Sequence, residues 1–154
     1  MNYYLNIGSN MGERRDNLYR AVGFLTADTG CAVSSIVESE PWGFESDNRF
    51  MNVGVWLCSD LEPQEMLERI QDIERSLGSS SHRDEHGGYI DRLVDIDIVA
   101  IDDLVIDTPT LQVPHPHLPD RDFFLKPMIQ LAPDWHHPLT GLTAAQMLEA
   151  LNGR

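Results

Sequence analysis

Lysine is almost absent from this 154-residue chain: Lys126 stands alone beside ten Arg, so that eleven cations face 25 Asp and Glu. The resulting net charge of -14 disfavours nonspecific binding to nucleic acid or to an anionic membrane. Cysteine is scarce too. Cys31 and Cys58 lie far apart, without metal-ligand spacing and flanked by apolar residues, and read as reduced core thiols of a cytoplasmic protein. No apolar run is long enough to cross a bilayer. Met1-Asn2-Tyr3-Tyr4 leads straight into a strand-like segment, which argues against a secretory leader. With 42% hydrophobic and 23% charged residues, disorder and fibrous repeats are poor readings, and the length predicts one domain, 1–154, with one core and one site. An anionic small molecule stays possible, given a local cluster of forked Arg contacts or metal ions held by carboxylates.

Hydrophobic periodicity predicts a strand at Tyr3 to Ile7, stopped by Gly8-Ser9-Asn10, then a helix carrying Leu18, Ala21, Val22 and Leu25. Asp16 is expected to cap that helix and Gly30 to end it. Cys31 to Val37 reads as a second strand and Glu38 to Phe44 as a loop broken by Pro41 and Gly43. In a third strand, Phe50 to Cys58, Met51, Val53, Val55 and Leu57 form an apolar face that should pack on helices, while Phe50, Asn52, Gly54 and Trp56 point the other way. Pro63 opens a second helix with Met66, Leu67, Ile70, Ile73 and Leu77 on one stripe and Gly78 beyond its end. Ser79 to Asp91 is too polar to pack and reads as a mobile surface loop. Leu93 to Ile101 is a fourth strand.

This order is the split βαββαβ pattern of a ferredoxin-like α+β domain, with an antiparallel sheet and helices on one face. The last third is broken by Pro109, Pro114, Pro116, Pro119, Pro127, Pro133 and Pro138. Only Thr143 to Leu151 looks helical there, and this extension is expected to cover the second face of the sheet, giving a three-layer α/β/α arrangement.

Asp95 and Asp97 are the sharpest chemical signal. Two apart on a strand, they project from one face with Cβ atoms roughly 6.5 to 7 Å apart, a spacing at which carboxylates can bridge divalent ions such as Mg²⁺ beside phosphate. The competing reading is a solvent-exposed face on which Asp alternates with Val94, Ile96 and Ile98. His115 or Arg121, on the stiff Val113 to Arg121 segment, could meet a phosphate. Arg83 and Arg92 bracket most of the polar loop and could close on a nucleotide as a lid. Gly8-Ser9-Asn10-Met11-Gly12 after a strand weakly suggests a phosphate-cradling turn. His82 and His86 read as solvated and His136 and His137 as structural. Ferredoxin-like sheets with aromatic faces also bind single-stranded RNA, but the net charge and the paired Asp argue against it.

Taken together these motifs resemble the 6-hydroxymethyl-7,8-dihydropterin pyrophosphokinase family nearly end to end. The resemblance is carried by Leu5-Asn6-Ile7-Gly8-Ser9-Asn10-Met11-Gly12 with Arg15, Ser39-Glu40-Pro41-Trp42-Gly43, Phe50-Met51-Asn52 and Ile73-Glu74. It continues through Asp91 to Ile98, Val113-Pro114-His115-Pro116 with Arg121 and Phe123, and Ala132-Pro133. It implies transfer of pyrophosphate from ATP to the pterin alcohol, with AMP leaving, in folate biosynthesis. It further implies two Mg²⁺ ions on Asp95 and Asp97, and catalytic roles for Arg83 and Arg92. Pterin contacts would come from Ser39, Pro41, Trp42, Gly43, Phe50, Asn52, Tyr89 and Phe123, and ATP contacts from Gln71, Glu74, Arg92, Ile98, His115 and Arg121. The departures from the family pattern lie at Gly78 to Arg92, where His82 replaces a loop Arg and Arg83 substitutes for it, and at Thr110, where Arg is common. A cytoplasmic monomer without nucleic-acid or membrane partners is expected.

Overall fold

The computed structural model describes residues 1–40, 49–78 and 93–154. Its main sheet has five strands, with the path β2 (Cys31–Val33), β4 (Phe50–Cys58), β1 (Asn2–Ser9), β5 (Asp95–Ile101), and with β3 (Val37–Ser39) also pairing β4. Every pairing is antiparallel. The expected strand after the first helix is therefore two short strands. Between them the Ser34 side-chain oxygen accepts from the Gly54 backbone N–H at 2.8 Å, and the Ser34 N–H bonds the Gly54 carbonyl at 2.9 Å, before the chain resumes pairing at Val37. The second pairing runs on to Ser39, into the stretch expected to be loop. At its other end β1 includes Gly8 and Ser9, expected to be turn, and β5 begins at Asp95 instead of Leu93.

On one face lie α1 (Arg14–Leu25) and α2 (Pro63–Ser76). Their Leu18, Ala21, Leu25, Met66, Ile70 and Ile73 close over Tyr3, Leu5, Ile7, Val53, Val55, Leu57, Ile96 and Ile98. The apolar side of β4 thus packs where its alternation predicts. Glu13, not Asp16, stands before the first residue of α1, and Thr26 ends the helix by bonding Val22, well short of Gly30. α2 starts as its composition suggests: Pro63 sits in the first turn, and Glu62 and Glu65 form a reciprocal capping box.

The other face is covered by α3 (Asp122–Leu131) and α4 (Ala144–Asn152), whose Phe123, Phe124, Leu125, Met128, Ala144 and Met147 bury Phe50, Val99 and Ala100. A small hairpin of β6 (Ile106–Asp107) and β7 (Gln112–Val113) and a 3-10 turn at Leu118–Asp120 lead into it. Thr143 caps α4 as read from the sequence, but α3 was hidden by Pro127, which lies inside the helix. A helix-interior proline lacks the N–H that would bond the carbonyl four residues back. Here that carbonyl belongs to Phe123, and it accepts instead from Asn6 Nδ2 of β1 at 2.8 Å. Gly54 completes the fit: a Cβ there would stand 2.5 Å from Pro127 Cβ, so only glycine lets α3 lie this close to the sheet.

Two further expectations change. Both cysteines are exposed, not in the core, because Cys31 lies on an edge strand and Cys58 ends β4 where the sheet runs out. The polar segment Ser79 to Asp91 falls outside the described residues. No helix among the described residues is long and apolar enough to cross a membrane.

Candidate functional site

Strand register assembles the site. Asp95 pairs with Gly8, which pairs on its other side with Asn52; one row on, Asp97 pairs with Asn6, which pairs with Gly54. Cross-strand partners share a face, so both carboxylates, Asn6, Gly8 and Asn52 all point toward the α3 layer. The exposed-face reading of the Asp pair is overturned, since Asp95 is 3% and Asp97 8% exposed.

These residues form the floor of a cleft also lined by Ser39, Glu40, Phe50 and Phe123. A Cβ on Gly8 would meet Asn52 Oδ1 at 3.0 Å and Phe50 Cδ1 at 3.2 Å, so the missing side chain is what keeps the floor open. Asn52 Nδ2 donates to Ser39 Oγ at 2.7 Å and to the Val37 carbonyl at 3.2 Å. With the amide nitrogen so engaged, Asn52 presents its carbonyl oxygen to a ligand. The cleft is nearly closed, with about 10 Å³ of free space, about one water's worth.

On the other side of the same two carboxylates runs a wide groove of about 550 Å³. Gln71 and Glu74 of α2, Ile96 and Ile98 of β5, Thr110 to Gln112 of the hairpin, and His115, Pro116, His117 and Arg121 line it. Buried Glu74 is locked in place by accepting the Ile96 N–H at 2.9 Å. His115 is pinned to β5 through its own N–H, which bonds the Val99 carbonyl at 2.8 Å, after a cis Val113–Pro114 peptide. Its Nδ1 accepts the His117 N–H at 3.1 Å, so in the neutral ring the proton sits on Nε2, 3.8 Å from Asp97 Oδ1. Arg121 is 2% exposed, its guanidinium 5.0 Å from the Phe124 ring centroid and 5.7 Å from that of Phe123. Two aromatic faces thus hold a buried cation at the groove wall. At the rim, a hydrogen bond from Arg154 holds the Asp120 carboxyl below its ordinary value, helped by His117.

Asp95 and Asp97 therefore stand between a narrow aromatic cleft and a broad polar groove. Among the described residues no set of three or more His, Cys, Asp or Glu side chains converges to cage a metal. Two hard carboxylates suit an ion such as Mg²⁺ that keeps waters and takes its other ligands from a bound phosphate.

Ser39, Phe50, Asn52 and Phe123 meet in the cleft, and Gln71, Glu74, Ile98, His115 and Arg121 in the groove, as the sequence led us to expect. Pro41, Trp42, Gly43, Arg83, Tyr89 and Arg92 lie outside the described residues. The phosphate-cradle reading of Gly8 to Gly12 fails: Gly8 and Ser9 belong to β1, and the turn bonds itself, Asn17 Nδ2 donating to Ser9 Oγ at 3.3 Å and to the Met11 carbonyl at 3.0 Å. Sequence reasoning missed Asn6, Glu40 and His117 as lining residues. A polar Asn between Leu5 and Ile7, on the opposite strand face from both, was the available signal for Asn6.

Comparison with known proteins bears on the same residues. A family model described as 7,8-dihydro-6-hydroxymethylpterin-pyrophosphokinase matches residues 4–133. The chain is 41% identical over 138 residues to a 2-amino-4-hydroxy-6-hydroxymethyldihydropteridine pyrophosphokinase of Porphyromonas gingivalis, covering 88% of this chain and 92% of that protein. The protein of that name from Aquifex aeolicus is 37% identical over 140 residues, with 88% and 83% covered. The Folic acid synthesis protein FOL1 of Dictyostelium discoideum is 33% identical over 147 residues, 94% of this chain but 22% of that longer protein. With a family model spanning most of its length and relatives at this level of identity, the chain belongs to the 7,8-dihydro-6-hydroxymethylpterin-pyrophosphokinase family.

Proposed function

We infer that this chain transfers the pyrophosphoryl group of ATP to the hydroxymethyl oxygen of 6-hydroxymethyl-7,8-dihydropterin and releases AMP, a step of tetrahydrofolate biosynthesis. The observation that carries the reading is the buried Asp95 and Asp97 pair standing between the two cavities, where a group passing from one ligand to the other must cross.

In this reading the pterin lies in the narrow cleft. Asn52 Oδ1 accepts from the N–H edge of the ring, and the rings of Phe123 and Phe50 flank its faces. Because the cleft is nearly closed, Phe50 and Phe123 separate as the ring enters, and the aromatic walls then exclude water from the transfer. Ser39 supports Asn52, with Pro41, Trp42, Gly43 and Tyr89 completing the pterin side. ATP lies in the groove. Gln71, Glu74 and Ile98 contact the nucleoside, while His115 and Arg121 donate to phosphate oxygens and stabilise the departing α-phosphate.

Asp95 and Asp97 would hold two Mg²⁺ ions, which when bound supply the positive charge that orients and neutralises the phosphates. The pterin oxygen attacks the β-phosphorus in line, its bond forming as the bond from that phosphorus to the oxygen bridging the α-phosphate breaks, and AMP keeps that oxygen. Holding nucleophile and phosphorus in this alignment is the protein's chief contribution. Arg83 and Arg92 close on the phosphates from the segment that follows α2. The unit acting is a single domain over 1–154, a monomer working in the cytoplasm.

Asp97→Ala should abolish AMP production while the far-ultraviolet circular dichroism stays that of the parent. Near-normal turnover by that variant would sink the assignment of the carboxylate pair.

A further inference from the structure

Asn6 is 3% exposed, lines the pterin-side cleft and faces Asp97 directly across the strands. Its amide cannot be turned around. Phe123 O is a carbonyl and only accepts, so the atom 2.8 Å from it must be the NH₂ group, and that carbonyl needs the bond because Pro127 cannot supply it. Asn6 Oδ1 consequently remains as an acceptor at the cleft, one row from Asn52 and in the same row as Asp97.

Resting on the reading that the cleft takes the pterin alcohol, we propose that Asn6 is a further substrate-binding residue, its Oδ1 accepting the hydrogen bond of the substrate's hydroxymethyl O–H. A ring held at its edge by Asn52 on β4 and extending over Gly8 spans two strand spacings, about 9.5 Å, before its one-carbon arm reaches the row of Asp97 and Asn6. There the carboxylates are occupied in holding cations, whereas the amide oxygen of Asn6 is neutral and has no protein donor. Cross-strand partners have Cβ atoms roughly 4.5 to 5.5 Å apart, so an oxygen placed at Asp97 is within reach of Asn6. Accepting the hydroxyl hydrogen turns a lone pair of that oxygen away from Asn6, toward the groove side where the phosphate lies.

Binding of two ligands to two proteins separates this role from the structural one of supporting α3. 6-Hydroxymethylpterin and 6-methylpterin, which differ by the hydroxyl alone, are titrated by pterin fluorescence into the parent and into Asn6→Leu, with Mg²⁺ and α,β-methylene ATP present so that no transfer occurs. The parent should prefer the hydroxymethyl ligand on the order of 3- to 10-fold, the worth of one neutral hydrogen bond, and the variant should bind both equally. If Asn6→Leu weakens both ligands alike and keeps the preference, Asn6 only holds α3 and the proposal falls. Equal binding of the two ligands by the parent also overturns it, whatever the folding of the variant, while leaving the pterin site standing. If the parent binds neither ligand, the site reading falls with it. Asn6→Ser, smaller and polar, repeats the comparison should the Leu variant melt far below the parent.

Discussion

Replacing Gly54 by alanine adds one methyl group at the place where helix α3 rests on the sheet. The new Cβ would stand 2.5 Å from Pro127 Cβ and 3.1 Å from Leu131 Cδ1. Carbon atoms pack at about 3.5 to 4.0 Å, so the helix must withdraw by about 1 to 1.5 Å at Pro127, a ring carbon with no rotamer to relieve it. Overpacking of this kind costs about 1 to 3 kcal/mol, and for a domain of this size each kcal/mol lowers the melting temperature by roughly 2 to 4 °C. The withdrawal also strains the Asn6–Phe123 hydrogen bond, so pterin affinity should fall along with stability. The control is Gly23→Ala. Gly23 is exposed within α1 and nothing lies within 4 Å of an added Cβ, so the same methyl should stabilise by about 0.5 to 1 kcal/mol. Thermal unfolding of both variants checks the pair. A Gly54→Ala protein that melts with the parent, or two variants that shift in the same direction, would refute the account of how α3 is seated.

Other outcomes follow from single contacts. Glu74→Leu leaves the buried Ile96 N–H without its acceptor and should cost about 1 to 3 kcal/mol in denaturant unfolding, with weaker ATP binding by calorimetry. Asn52→Leu should raise KM for the pterin on the order of 10-fold and leave KM for ATP near the parent value, read from steady-state kinetics. Burial pushes the His137 imidazole below its ordinary value of 6.5, so folding favours its neutral form. That contribution is complete above about pH 6.5 and is lost as pH falls through the depressed native value, since the unfolded chain takes up the proton first. Unfolding free energy should therefore drop more steeply between pH 7.5 and 5.5 in the parent than in His137→Gln.

Much of this molecule was legible in its sequence because alternation and helical spacing report burial directly. The inward set of β4, the stripe of α2 and the Thr143 cap of α4 are where they were expected. Asp95 and Asp97 could be named because two acids spaced two apart in an apolar strand need a reason to be there, although only strand pairing shows them buried. What stayed hidden depends on contacts distant along the chain. Pro127 argues against a helix until Asn6, 117 residues before the carbonyl it bonds, is seen to replace the missing donor. The break at Ser34 likewise depends on Gly54, twenty residues on. Cys31 and Cys58 have apolar neighbours, yet an edge position and a strand end leave them exposed, and neither is visible from composition.

The central claim is that one buried carboxylate pair passes a pyrophosphoryl group from an ATP groove to a pterin cleft. It is tested most directly by separating the nucleotide products after incubation with ATP, the pterin alcohol and Mg²⁺, with each component omitted in turn. The account predicts AMP, one for each pterin consumed, only when all three are present, and none once the metal is chelated. ADP in place of AMP, or AMP that forms without the pterin, would contradict it.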